Sequence, residues 1–147
     1  MEKSNELNKF LSYIHMGTTI YRIYYSEAKK FNDEKLINLI VEIEEIFKTH
    51  EEKITKQINE MNEEATDSLT AAGIFGVYKE RMKVFDSPFS ICINAIKSTN
   101  MGLLSALKFL KENSKLDSHI KEYVVNVISD YKNIQSKLIN YTLSELN

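Results

Sequence analysis

His15-Met16-Gly17 sits inside one long stretch of apolar residues at helical spacing, and Asn100-Met101-Gly102 sits inside a second. After each, a short break interrupts the pattern, at Phe31-Asn32-Asp33 and at Leu116-Asp117-Ser118, and another long helical pattern begins. Met16-Gly17 maps onto Met101-Gly102 with an offset of 85, and Leu36, Ile40, Ile43, Phe47 and Ile54 map onto Ile120, Val124, Val127, Tyr131 and Leu138 with an offset of 84. The one-residue difference falls in the break between helices, where a deletion costs little. Apolar matches arise by chance between any two amphipathic helices. The shared Met-Gly pair and the shared break are therefore what point to a duplicated helix pair.

Four glycines and one proline in 147 residues leave long helices as the dominant element. The first is expected from about Ser4 to Lys30, with Leu7, Phe10, Leu11, Ile14, Gly17, Thr18, Tyr21, Tyr25 and Ala28 at three- and four-residue steps. Asn32 is the expected cap of the second, with Phe31 and Leu36 as a staple across it. That helix runs from about Asp33 to Glu63 on a seam of Leu36, Ile40, Ile43, Phe47, His50, Ile54, Gln57 or Ile58, and Met61. Glu42, Glu44, Glu45, Glu51 and Glu52 fall on its solvated face.

A polar loop from Glu64 to Thr70 leads into a shorter helix over Ala71–Phe85, with Ile74, Val77, Tyr78 and Met82 as its apolar positions. Ala72, Gly73 and Gly76 allow that helix to pack closely on a neighbour. Ser87-Pro88 starts a third long helix, to about Glu112, with Phe89, Cys92, Ile96, Leu103, Leu107 and Leu110 inward. The fourth runs from about Asp117 to Leu146 on Ile120, Val124, Val127, Tyr131, Ile134, Leu138 and Tyr141. The expectation is one all-α domain over residues 1–147, a four-helix bundle with an extra helix in the crossover.

Composition narrows the classes. With 19 basic and 21 acidic side chains the net charge is −2, which gives no general pull toward nucleic acid. Cys92 is the only cysteine, so no internal disulfide is expected and a cytoplasmic location follows. No apolar run approaches the roughly 18 residues of a membrane span. No nucleophile constellation or phosphate loop is present, so no catalytic residue is assigned and no enzyme is expected.

The run Tyr24-Tyr25-Ser26-Glu27-Ala28-Lys29-Lys30-Phe31-Asn32-Asp33-Glu34-Lys35-Leu36-Ile37-Asn38-Leu39 resembles the first helix end, turn and second helix start of the ferritin-like superfamily, especially its rubrerythrin-type branch. His50 stands where that family's Glu-x-x-His histidine falls. The chain is closer still to a bacterial branch of these bundles that lacks the metal ligands and has no assigned activity. The resemblance implies a di-iron site made by one carboxylate from each of two helices and Glu-x-x-His from each of the others. At those positions this chain has Gly17 or Thr18, Phe47 and His50, Met101 or Gly102, and Tyr131 with Ile134. His50 alone matches, so no metal and no cofactor are expected.

Three polar features remain. His50 lies on an apolar seam and needs a partner, and Tyr131 on the fourth helix is the expected one. His15 falls off the main seam toward the boundary, and His119 is expected to be exposed. The two Met-Gly pairs read as packing devices, making room for Phe47 or Tyr131. The eight tyrosines, notably Tyr21, Tyr24 and Tyr25, suit boundary positions with ring buried and hydroxyl wet, or a protein interface. The leading expectation for the role is a non-enzymatic bundle acting through protein contacts, as a homo-oligomer or with another partner. A metal site around His50 with Glu44 or Glu51, or a small molecule held in the bundle centre, are the alternatives.

Overall fold

The computed structural model describes residues 2–146, with side chains from Asn5 to Leu146. It contains five helices: α1 (Glu2–Lys30), α2 (Glu34–Glu60), α3 (Ala71–Met82), α4 (Pro88–Glu112) and α5 (Ser118–Glu145). The four long helices close a ring in which α1 packs on α2 and α4, and α5 packs on α4 and α2. Neighbours run antiparallel. Phe10 meets Phe109 while Tyr21 meets Thr99 between α1 and α4, and Asp33 meets Tyr141 while Phe47 meets Tyr131 between α2 and α5. α3 stands outside the ring and rests chiefly on α1.

The turns follow from local chemistry. Asn32 takes a left-handed conformation (φ 53°) that ends α1, a conformation asparagine tolerates better than most residues. The cap of α2 is therefore Asp33, one residue later than expected, with its carboxylate accepting from the Leu36 amide at 3.0 Å. The other oxygen of Asp33 accepts from Tyr141, which ties the N-terminus of α2 to the end of α5. Asn62, at φ 60°, closes α2 three residues before the expected end. Ser87 caps α4 by accepting from the Ser90 amide at 3.1 Å, with Pro88 in the first turn.

The seams of α2 and α5 are buried as expected, from Leu36 through Ile58 and from Ile120 through Tyr141. Three faces differ. On α1, Tyr24 rather than Tyr25 is fully buried. On α4 the buried stripe is Ile91, Cys92, Ala95, Thr99, Ala106 and Phe109, whereas Phe89 and Leu107 are exposed. Small residues face inward there because the large rings of Tyr21 and Tyr24 come at α4 from α1. On α3, Ile74, Tyr78 and Met82 are 59%, 60% and 66% exposed, and the inward face is Gly73, Val77 and Glu80. The glycines keep this contact close, since a Cβ added at Gly76 would stand 2.5 Å from Met16 Cε and the end of that side chain would have to move aside. Cys92 is fully buried in the stripe, and burial pushes its thiol up to about 11.

Candidate functional site

The centre of the ring is the place to look for chemistry, because inward side chains from facing helices meet there. It is filled by rings. A Cβ at Gly17 would lie 3.4 Å from the Phe47 ring, and one at Gly102 would lie 3.4 Å from the Tyr131 ring. Each glycine thus faces the aromatic residue of the helix beside it at contact distance, at corresponding places in the two helix pairs. Phe47 and Tyr131 then meet with centroids 5.7 Å apart, and Tyr21 packs on Phe47 at 5.2 Å. Dispersion and burial of apolar surface hold this stack. A carboxylate pair would have to occupy the same volume.

His50 borders the stack. Its Nδ1 lies 3.3 Å from the Tyr123 hydroxyl, which also reaches the His50 carbonyl oxygen at 3.4 Å. The expected partner, Tyr131, stands edge-to-face with the imidazole at 6.4 Å between centroids, so its contact with His50 is one of packed rings. The substitution of partner has a geometric cause, because Tyr131 is turned toward Gly102. On the far side of the imidazole, Nε2 is 3.0 Å from Asp130 Oδ2, an ion-pair distance, but its N–H is not aimed at that oxygen. Burial lowers the His50 pKa below its ordinary 6.5, and the Asp130 carboxylate offsets only part of that. His50 is therefore a neutral imidazole at neutral pH.

The residues do not fit a metal pair. Glu44 pairs with Arg22 and Lys48, and Glu51 turns toward His15, so neither accompanies His50. Among the described residues no three His, Cys, Asp or Glu side chains come together as a metal would require.

The strongest polar constellation lies elsewhere, where α1, α2 and the 61–70 segment meet. His15 Nδ1 bonds to Glu51 Oε2, and its Nε2 lies 2.8 Å from the Thr66 carbonyl oxygen. Thr18 donates to Glu51 Oε1 at 2.5 Å. Both partners of His15 are acceptors, so holding both at once takes an imidazolium. The Glu51 bond raises the His15 pKa, against the opposing effect of its burial. Burial pushes the Glu51 carboxyl up, but the bonds from His15 and Thr18 prevail and bring it below its ordinary value. Asn8 and Ser12 extend the strap, with Asn8 accepting from the Thr66 amide at 2.8 Å and Ser12 donating to the Ser68 carbonyl at 3.0 Å. Glu51 is thus part of a clasp rather than of the solvated face expected for it, and His119 is exposed as expected.

A second knot ties α3. The Tyr24 hydroxyl donates to Glu80 Oε2 at 2.9 Å and lies 2.6 Å from Ser98 Oγ. Lys83 closes the knot by bonding to Glu80 and, at 2.8 Å, to Asn94 Oδ1. The Tyr21 hydroxyl, expected to be wet, is buried against Thr99 Oγ1 at 2.5 Å. Burial raises the pKa of both tyrosines, which stay neutral donors. Neither knot was legible from spacing, because the bonds that centre them, His15 and Thr18 to Glu51 and Tyr24 to Glu80, join residues more than 30 positions apart in the chain. The chain matches no family model, no curated protein and no solved structure.

Proposed function

We propose that this protein is a non-enzymatic bundle of the ferritin-like kind that acts through protein contacts, foremost with a second copy of itself. Two helix pairs joined by a long crossover, with matching Gly–aromatic contacts, support the ferritin-like assignment. The aromatic stack in the centre supports the non-enzymatic part, since it occupies the volume in which carboxylates or a small molecule would be held.

The observation that carries the contact reading is the outer side of α5. Ile139, Leu143 and Leu146 are exposed at steps of four and three, the spacing by which one helix seats on another. Asn140 and Ser144 lie beside them on the exposed side, and the exposed Glu145 stands about 100° around the helix from Leu146. Sedimentation equilibrium tests the reading. The expected mass is twice 17.1 kDa, falling to one copy in the Ile139→Glu, Leu143→Glu variant. A wild-type protein that stays a single copy at high concentration overturns it.

A further inference from the structure

Residues 71–111 hold six cations, Lys79, Arg81, Lys83, Lys97, Lys108 and Lys111, against two acids, Glu80 and Asp86. That segment carries +4 in a chain whose net charge is −2, so the remainder carries −6. All six cations are exposed, whereas Glu80 is buried and already bonded to Lys83. No carboxylate pairs with Lys79, Arg81, Lys97 or Lys111 among the described residues, and no cation of this segment is matched by an acid on the exposed side of α3.

The same side of α3 is a crest of large apolar groups. With Gly73, Val77 and Glu80 turned to the bundle, Ile74, Phe75, Tyr78 and Met82 share the outward arc. At 100° per residue, Arg81 flanks the crest on one side and Lys79 on the other. Lys79 Nζ lies 5.5 Å from the Phe75 ring centroid, its stem along the crest. Val84, 92% exposed, continues the apolar surface beyond the helix end. Because α3 sits outside the four-helix ring, this surface projects from the bundle.

A projecting apolar ridge with cations on both flanks, and with its nearest exposed acid in the chain, Asp86, lying beyond the helix end, has the chemistry of an interfacial surface. The apolar groups enter the boundary between headgroups and acyl chains, and the cations stay level with the phosphates. A second copy is a poor occupant, because two such crests face to face bring Lys79 and Arg81 of one against the same residues of the other. We infer that the α3 crest docks this protein on the surface of an anionic lipid bilayer. The ridge lies apart from the α5 stripe, and docking does not depend on the self-association proposed above.

The test is co-sedimentation of the full chain with vesicles of phosphatidylcholine alone and of phosphatidylcholine mixed with phosphatidylserine. Binding is expected only to the mixed vesicles and weakens with added salt. Reversing two cations in Lys79→Glu, Arg81→Glu lowers the affinity about thirtyfold or more, at roughly a fivefold loss per cation removed. Phe75→Ser with Tyr78→Ser abolishes binding while the charges stay. Both variants alter exposed groups, and an unchanged melting temperature verifies the fold. Absence of binding to mixed vesicles overturns the inference, as does equal binding to both vesicle types that neither variant alters. A change of solution mass from two copies to one in the crest variants also overturns it, since the crest is then a contact between copies.

Discussion

The two helix pairs share their centre and differ at their edges. Gly17 faces the Phe47 ring in the first pair as Gly102 faces the Tyr131 ring in the second. Around that shared core the polar residues differ. His15 and Glu51 of the first pair correspond to Asn100 and Gln135, and Tyr24 corresponds to Phe109. The difference follows the crossover, which the fold lays chiefly on the first pair. His15 and Glu51 hold the 61–70 segment, and Tyr24 holds Glu80 of α3. In the second pair nothing of the kind lies over Met101, which is 63% exposed, and the corresponding residues need no ties. The two halves thus share their central packing, while each half's surface is fitted to what the chain places over it.

The largest expected effect tests the shared part. Phe47→Ala and Tyr131→Ala each cost about 3–5 kcal/mol in urea unfolding, since each empties the space its glycine leaves open. Costs that agree within about 1 kcal/mol bear out equivalent packing. A large difference breaks the comparison at its centre.

The next effect is electrostatic and belongs to the first pair alone. The raised pKa of His15 means that its contribution is present below about 6.5 and is lost as pH rises through the folded-state value. Glu51, with a lowered pKa, contributes above about 4.5 and loses that as pH falls through its folded-state value. His50 acts oppositely to His15. Its depressed pKa makes folding more favourable as pH rises toward 6.5 and withdraws that gain as pH falls. His15→Asn installs the second pair's residue, and the expected cost near pH 6 is about 1.5–3 kcal/mol. Unfolding across pH 5–9 should show the decline above pH 6.5 in the parent and not in the variant. A variant with the parent's slope there removes His15 as its source.

Tyr24→Phe likewise converts a first-pair residue into its counterpart. It strips a donor from Glu80 and is expected to cost about 1–2 kcal/mol. Hydrogen exchange should quicken in α3 ahead of α1, and uniform quickening of both refutes a local tie. Smallest are Gly17→Ala and Gly102→Ala. A gain in helix propensity of about 0.5–1 kcal/mol is set against contacts at 3.4 Å, so both melting temperatures stay within a few degrees of the parent's.

Period and cap chemistry made much of this legible. The α5 seam and the Ser87-Pro88 start could be read directly, because one face of a long helix must be apolar and a proline fits only its first turn. The inward faces of α3 and α4 could not. Both are set by small residues, Gly73 and Gly76 on one and Ala95, Thr99 and Ala106 on the other, while reading by hydrophobicity selects the large side chains on their flanks. His50 was legible as a polar residue on a seam, but its partner depended on which way Tyr131 turned. The His15–Glu51 clasp was hidden because Glu51 sits in an acidic run that reads as solvent-facing.

Cys92 gives the molecule an internal clock. The thiol lies beside Thr142, where the first turns of α4 pack against the end of α5, and its reactive anion is suppressed by burial. A thiol reagent can modify it only during the intervals when that junction parts. The labelling rate at rising reagent concentration therefore approaches the frequency of parting itself, read at one atom in a protein that carries no second thiol to confuse the signal.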